Sequence, residues 1–475
     1  MNYKATNLLV IGFAGHIAGM SAGEKKEAVK PNIIYIFTDQ QHANMMSCAG
    51  NQWVKTPAMD FIAANGVRFT RAYCANPVSV PSRMSMITGR MSGAFNDKNG
   101  KQVRENDLAL TVPTISDEIK NSTLPSYLIR AGYDVYYGGK VHLPKPLQPQ
   151  NLGAKIISTD EREGLANDAA AFLRKQHKKP FYLTLSFINP HDICFMALRD
   201  YTTSELERKY IGRATKEISA LDQSLKIPEG ISEKEFFDKY CPPLPPNFEP
   251  QQDEPEAVRK LLQIRDFRIQ ARENYTEKQW RMHRWAYARL TEQVDAQIQT
   301  VLNALIETNQ LENTVLIFSS DHGEMNSAHR MEHKTALYEE SAGIPFMVMW
   351  KGHIKGGRVD STHLISNGLD LLPTVCDYAG IKGVADPRGM SVRPLLEETK
   401  TKWRKSLGVE TEIGRMVVTE DKLKYIKYDA VGIEEQLIDL KSDPYEMTHV
   451  TNNKKFKTGL RIARKAYNEL WFKGF

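Results

Sequence analysis

Cysteine is scarce in this chain. Its 475 residues include only Cys48, Cys74, Cys194, Cys241 and Cys376. An odd number without short spacings argues against a disulfide scaffold or a thiolate zinc site, although a single pair could bridge in an oxidising compartment. Long hydrophobic runs are also missing. The longest apolar stretch, Leu8 to about Ala18, falls short of the ~20 residues that span a bilayer. There is no internal repeat, no arginine-rich tail and no nucleic-acid-binding motif, so nucleic acid is not an expected partner. Charge of one sign is not in large excess: the net charge is +6, spread along the chain, which weakly favours an anionic ligand. With 41% hydrophobic and 25% charged residues, the composition is that of a globular protein able to bury a sizeable core.

The first 22 residues stand apart. Lys4 precedes the apolar run, and the small residues Gly19, Ser21 and Ala22 follow it. This is the layout of a secretory signal peptide, so the expected location is periplasmic or secreted. No cysteine follows that would carry a lipid, and no stable membrane anchor is expected.

Beyond the leader, Ile33–Phe37, Phe181–Phe187, Val315–Phe318 and Phe346–Trp350 are short apolar runs followed by polar residues. They read as buried parallel strands. Ser126–Ala131 and Leu165–Gln176 read as helices. A longer one spans about Gln279 to Thr308, with Trp285, Leu290, Val294, Ile298, Val301 and Leu305 as its apolar stripe. Alternating strands and helices imply an α/β layered fold. The expected organisation is a catalytic domain over 31–390 and a small α+β subdomain over 391–475. An insertion of short helices and loops, rich in charge and proline, interrupts the first at about 195–274.

Ser79-Val80-Pro81-Ser82-Arg83 runs into Met84-Ser85-Met86-Ile87-Thr88-Gly89-Arg90. Pro81 suits the first turn of a helix and Gly89 its C-terminal cap. Ser79 would then lie among free amides at a helix N-terminus, where anions are favoured, with Arg83 one turn further on the same face. Taken alone, a serine there is as well explained as a cap. The whole segment, however, resembles the signature of the type I, formylglycine-dependent sulfatases of the alkaline phosphatase superfamily: Cys or Ser, any residue, Pro, Ser, Arg, four residues, then Thr-Gly-Arg. The resemblance implies oxidation of Ser79 to formylglycine by an anaerobic serine-type maturing enzyme of the bacterial kind. The fold it implies is a large mixed β-sheet sandwiched by helices, with a smaller C-terminal sheet and a packed helix.

Further blocks follow in the family's order. Asp39-Gln40 and Asp321-His322 each end a strand, where α/β folds place ligands. Separately they could cap loops; together with Ser79 they could hold a hard cation. The resemblance assigns Asp39, Gln40, Ser79, Asp321 and His322 to one Ca2+. Gln40 stands where a second Asp is commoner, which removes a negative charge. His322 stands where Asn is often found, and imidazole matches a hard ion less well.

Lys140 and His142 are two apart, so an extended segment would point both to one side. Asn189-Pro190-His191-Asp192 and Asp321-His322-Gly323-Glu324, with His329 and Lys334 after it, complete the set. Sulfuryl transfer places negative charge on peripheral oxygens, which Arg83, Lys140, Lys334 and the metal would stabilise. By resemblance, the formylglycine hydrate attacks sulfur, His191 protonates the leaving sugar oxygen, and His142 helps deprotonate the second hydroxyl so that sulfate leaves.

The expected activity is hydrolysis of a sulfate ester on a glycosaminoglycan or mucin saccharide, by exolytic or oligosaccharide-directed action. His329, Trp403, Arg404, Arg415 and Lys422 are candidate substrate residues. Two alternatives stand beside this reading: a phosphomonoesterase or phosphonate hydrolase of the same superfamily, and an inactive relative that binds sulfated glycans.

Overall fold

The computed structural model describes residues 30–384, 388–429 and 435–472. The expected signal peptide, 1–22, lies outside the described residues. The strands, in chain order, are β1 (Asn32–Asp39), β2 (Gly66–Phe69), β3 (Ala72–Tyr73), β4 (Asp134–Gly139), β5 (Lys155–Ser158), β6 (Phe181–Pro190) and β7 (Thr314–Ser320). Then come β8 (Phe346–Met349), β9 (Arg358–Asp360), β10 (Ile365–Ser366), β11 (Ser406–Thr411), β12 (Gly414–Thr419), β13 (Leu423–Tyr428) and β14 (Glu435–Asp439).

Eight of them form one sheet in the order β5-β4-β6-β1-β7-β8-β2-β9. β4, β6, β1 and β7 are mutually parallel, as the continuous apolar runs of β1, β6 and β7 predict; β4 was not among the expected strands. β8 is the exception: it runs antiparallel to both β7 and β2, although its composition is that of a buried parallel strand. Burial on both faces sets that composition, and strand direction does not. The sheet is therefore mixed.

Alternate residues of β1 serve opposite layers. Ile34 and Ile36 pack with the helices Pro57–Ala64, Glu163–Leu173 and Glu277–Glu307. Ile33, Tyr35 and Phe37 pack with the helices Ser79–Thr88, Leu124–Arg130 and Asn367–Tyr378. Such burial is worth roughly 1.5–3 kcal/mol per large apolar side chain. The long helix Glu277–Glu307 opens with a capping box between Thr276 and Gln279, and it buries the predicted stripe.

β11 to β14 form a four-stranded antiparallel sheet covered by the helix Lys457–Phe472 through Leu460, Ala463, Tyr467 and Trp471. Short helices fill the 195–274 segment. Phe195, Met196, Leu198 and Leu221 pack against Trp280, Tyr287 and Leu290 of the long helix. Ala257, Val258, Leu261 and Leu262 join the core of the C-terminal sheet. The segment thus braces both larger parts. All five cysteines are unpaired.

Candidate active site

The parallel strands β1, β4, β6 and β7 deliver their C-terminal ends to one edge of the sheet, and the chemistry-bearing side chains gather there. Asp39 is the last residue of β1, and Asp321 and His322 follow β7. Ser79 is the first residue of a helix that ends at Gly89, whose φ of 67° and N–H bond to the Ser85 carbonyl (2.7 Å) make the expected cap.

Arg83 organises the cluster. Its guanidinium donates to Asp39 Oδ2 (2.8 Å), Asp321 Oδ2 (2.9 Å), Ser186 Oγ (2.8 Å) and the Lys140 carbonyl (2.8 Å), and lies over the Phe37 ring. Lys140 Nζ pairs with the same Asp39 oxygen at 2.7 Å. Gly139 makes this approach possible. It has φ 91°, and a Cβ there would fall 2.1 Å from the Ser186 carbonyl oxygen.

Lys334 Nζ donates to Gln40 Oε1 (2.8 Å) and to Ser79 Oγ (3.3 Å). The Lys334 segment is tied to the loop before Ser79 by Thr335 N–H donating to the Pro77 carbonyl (3.0 Å). Gln40 directs its amide N–H to Glu324, and its carbonyl oxygen faces Lys334 and the Cys194 thiol.

Ser79 Oγ lies 3.0 Å from His322 Nε2. His322 Nδ1 is 2.9 Å from the Gly323 carbonyl, so that nitrogen carries the proton and Nε2 keeps its lone pair for a ligand.

Electrostatics follow from burial and this crowding. Burial alone would raise Asp39, but Lys140, His191, Arg83 and Lys334 together hold its carboxyl well below the usual range. Burial, and then the Asp39 charge, push Asp321 up, against Arg83, Lys334 and Lys140. Burial and Lys140 push His142 down to about 3 and His191 well below the ordinary histidine range. The Nδ1 atoms of His142 and His191 are buried with no hydrogen-bond partner among the described residues.

A divalent cation fits the donor set. Asp39 Oδ1 is buried with no hydrogen-bond partner among the described residues, and Asp39, Asp321 and His322 each offer an atom within 4.8 Å of the others. A cation between the carboxylates would also relieve the repulsion that raises Asp321.

Of the residues expected from sequence, Asp39, Gln40, Ser79, Arg83, Lys140, Asp321, His322 and Lys334 form one bonded network. His142 and His191 feel the charge of Lys140 and Lys334 without bonding to the network. One expectation fails in its reason: the Lys140–His142 segment is not extended, because His142 has φ 40°. Its position comes from that left-handed turn.

His329 is fully buried. Its ring stacks on Tyr338 with centroids 4.1 Å apart, and its N–H donates to the Asn247 carbonyl. The C-terminal candidates are not brought to Ser79. Arg404 clamps Asp370 through both carboxylate oxygens. Trp403 Nε1 donates to the Leu364 carbonyl (2.9 Å). Arg415 pairs with Glu410 and Gln102. Lys422 is exposed in the β12–β13 turn.

Sequence reading missed Arg162, whose guanidinium grips Asp192 beside His191 at 2.5 and 2.9 Å. It also missed Ser186, which receives Arg83. No local motif marks either residue.

A family model described as Sulfatase matches residues 31–381. The chain belongs to the sulfatase family. As such it is a sulfuric ester hydrolase, and its sheet and helix layers have the alkaline-phosphatase-like architecture expected. A second model, described as N-sulphoglucosamine sulphohydrolase, C-terminal, matches residues 327–470 of this sulfatase. A Delta 4,5-hexuronate-2-O-sulfatase of Bacteroides thetaiotaomicron is 28% identical, with 90% of this chain and 86% of that protein covered. An N-acetylglucosamine-6-O-sulfatase of the same organism is 26% identical, covering 95% and 88%. A solved 2-O GAG sulfatase superposes with a TM-score of 0.73 at 26% identity, covering 94% of this chain and 92% of that one.

Proposed function

We propose that this sulfatase removes sulfate from a sulfated saccharide of glycosaminoglycan type after Ser79 has been converted to formylglycine. The observation that carries the reading is Ser79 Oγ itself: it stands at a helix N-terminus between Lys334 Nζ and His322 Nε2, beside the carboxylate pair Asp39 and Asp321. The relatives that act on hexuronate 2-sulfate and N-acetylglucosamine 6-sulfate support the substrate class.

Asp39, Gln40, Asp321, His322 and the side chain at 79 would hold one Ca2+, which would supply Lewis-acid polarisation and lower the pKa of a neighbouring hydroxyl. Formylglycine, once hydrated, would supply a second hydroxyl on the same carbon, which an unmodified serine lacks.

The chain's own residues do the rest. Lys140 and Lys334 take the peripheral sulfate oxygens. Arg83, held by two carboxylates, keeps the nucleophile helix seated against β1 and β7. His142 accepts a proton at the side chain of residue 79. His191 gives a proton to the sugar oxygen that leaves. In the resting site burial and the lysines keep His191 neutral, and an arriving sulfate anion offsets those lysines and favours its protonation. Arg162, through its pair with Asp192, holds the chain next to that imidazole. A serine-type maturing enzyme is the partner this route requires, and the leader favours a periplasmic or secreted location. No helix among the described residues is long and apolar enough to cross a membrane.

The test is the mass of the Ser79 peptide after co-production with a serine-type maturing enzyme, followed by sulfate release from sulfated saccharides. Loss of two hydrogens at Ser79 together with sulfate release is the expected result. A persistent alcohol, under conditions that convert a control sulfatase, would overturn the mechanism.

A further inference from the structure

The wall of the site beside Lys334 is made by segments distant in sequence. Val80 N–H donates to Asn106 Oδ1 (3.0 Å), which sets residues 105–107 against the start of the nucleophile helix. Glu410 N–H donates to the Ala75 carbonyl and its carboxylate accepts from Gly93 N–H, so the β11–β12 hairpin, with Glu412 in its turn, is fastened to the same region. From the 195–274 segment comes the helix Asp266–Asn274, whose Phe267 ring lies 5.1 Å from the ring of His333, the residue before Lys334.

Next to Phe267 is Arg268, and its bonding is unlike that of its neighbours. Arg259 pairs with Glu256 (3.1 Å), Arg265 with Glu207 (2.9 Å), and Arg272 with Glu254 (2.7 Å). Arg268 has no carboxylate within ion-pair distance among the described residues. Its Nη1 makes one long bond to the Leu261 carbonyl (3.4 Å), its guanidinium lies 5.9 Å from the Phe267 ring centre, and its Nε is buried with no hydrogen-bond partner among the described residues.

The charged groups around it tie it to the Lys334 segment, on the same side as the Phe267–His333 ring contact. Burial, then Arg268 and Lys334, push His333 well below the ordinary histidine range, so both cations act on one imidazole. Glu412 faces Arg268 without pairing; burial and its hydrogen bond with Glu105 push it up to about 7, which leaves the Arg268 charge only partly countered. Arg265 adds like charge, and burial lowers the affinity of Arg268 for its proton. A partly buried guanidinium with unmade hydrogen bonds is costly unless a ligand completes it. Its planar fork suits a carboxylate or a sulfate.

We propose that Arg268 is the specificity-determining cation of this sulfatase: it binds a second anionic substituent, carboxylate or sulfate, on the saccharide whose sulfate ester is cleaved at residue 79. The proposal rests on the sulfated-glycan reading above.

The test uses converted enzyme and two matched pairs of sugars. A methyl hexuronoside 2-sulfate is compared with the methyl hexoside 2-sulfate that lacks the carboxylate. Glucosamine 2-N,6-O-disulfate is compared with N-acetylglucosamine 6-sulfate. Wild type should favour the anionic member of one pair, and which pair identifies the substituent. Arg268→Ala should lower kcat/KM for that member by on the order of 30-fold or more, change its neutral counterpart by less than about 3-fold, and keep the wild-type melting temperature. Arg268→Lys should recover part of the preference. Calorimetric binding of the same four sugars to unconverted protein gives a readout independent of turnover. Equal losses for both members of each pair, an unchanged preference in Arg268→Ala, or no wild-type preference in either turnover or binding would overturn the proposal. If converted protein releases sulfate from none of the four sugars nor from an aryl sulfate, the glycan-sulfatase reading fails by itself, and calorimetry still decides the role of Arg268.

Discussion

Lys334 and Lys424 are both buried, at 8% and 0% exposure, yet their surroundings differ in kind. Lys424, in the C-terminal sheet, donates to Glu446 (2.6 Å) and pairs with Glu339 (3.0 Å), so acids outnumber it. Lys334 donates only to the neutral oxygens of Gln40 and Ser79, and no carboxylate pairs with it among the described residues. The first lysine is already neutralised and ties the C-terminal sheet to the catalytic domain. The second is left without a counter-ion among the described residues. The same contrast separates Arg404 and Arg415, each engaged with a buried carboxylate, from Arg268. Arg83 and Lys140, by contrast, sit in the candidate site with Asp39 and Asp321 as counter-ions, so Lys334 and Arg268 stand apart from them as well.

The comparison breaks most visibly if the two lysines are exchanged in effect. Lys334→Ala should cost roughly 10²–10³ in kcat/KM while unfolding near the wild-type denaturant midpoint. Lys424→Ala should instead lose ~3–5 kcal/mol of folding stability, because it strands the buried Glu446 and the half-buried Glu339, and the folded fraction should keep its kcat/KM. Steady-state kinetics and urea unfolding on both variants decide this. Arg83 is unsuitable for such a test, since it belongs to both categories: it touches the reacting region and also holds two buried carboxylates.

His191→Asn sharpens the chemical side. Sulfate release from a saccharide should fall by about 10²–10⁴, whereas release from 4-nitrophenyl sulfate, whose leaving group needs no proton, should fall far less. Equal losses would remove His191 from the proton-donor role. Chelation with EDTA should lower both activity and melting temperature, and Ca2+ should restore both if the orphan oxygen of Asp39 is a ligand. Arg404→Ala and Arg415→Ala should reduce the melting temperature by several degrees and leave KM within about 2-fold; a large rise in KM would return them to the substrate site.

The smallest effect is a pH slope. Burial, with Glu339 and Glu340 adding and Lys424 opposing, pushes Glu446 up to about 8. Its folded pKa therefore lies above its unfolded value, so the folded state binds more protons between about 4.5 and 8 and loses stability as pH rises through that window. Glu446→Gln should flatten the decline of melting temperature from about pH 5 to 8. An unchanged slope would mean that Lys424 keeps Glu446 ionised throughout.

Much of the catalytic edge is legible along the chain because its signals are local. Buried strands end where apolar runs meet Asp39 and Asp321. Pro81 and Gly89 bracket a helix, which makes Ser79 and Arg83 neighbours through backbone geometry alone. The substrate wall is not legible in this way. Basic residues in the C-terminal part looked available, but Asp370 and Glu410, both fully buried, capture Arg404 and Arg415. Arg268 looked like one charge among several in a helical insertion. Arg162 had no visible connection to Asp192.

By itself, then, the sequence determined the layered α/β architecture and the helix that begins at Ser79, because periodicity, capping and strand ends are properties of adjacent residues; the order of the further blocks was legible only through their resemblance to the sulfatase family. Only the tertiary structure decided the direction of β8, the left-handed turn that places His142, and which cations remain without a counter-ion. The last of these depends on contacts between segments hundreds of residues apart, such as Lys334 with Gln40 and Arg83 with Asp321. A charge is neutralised or left free according to what the fold packs beside it.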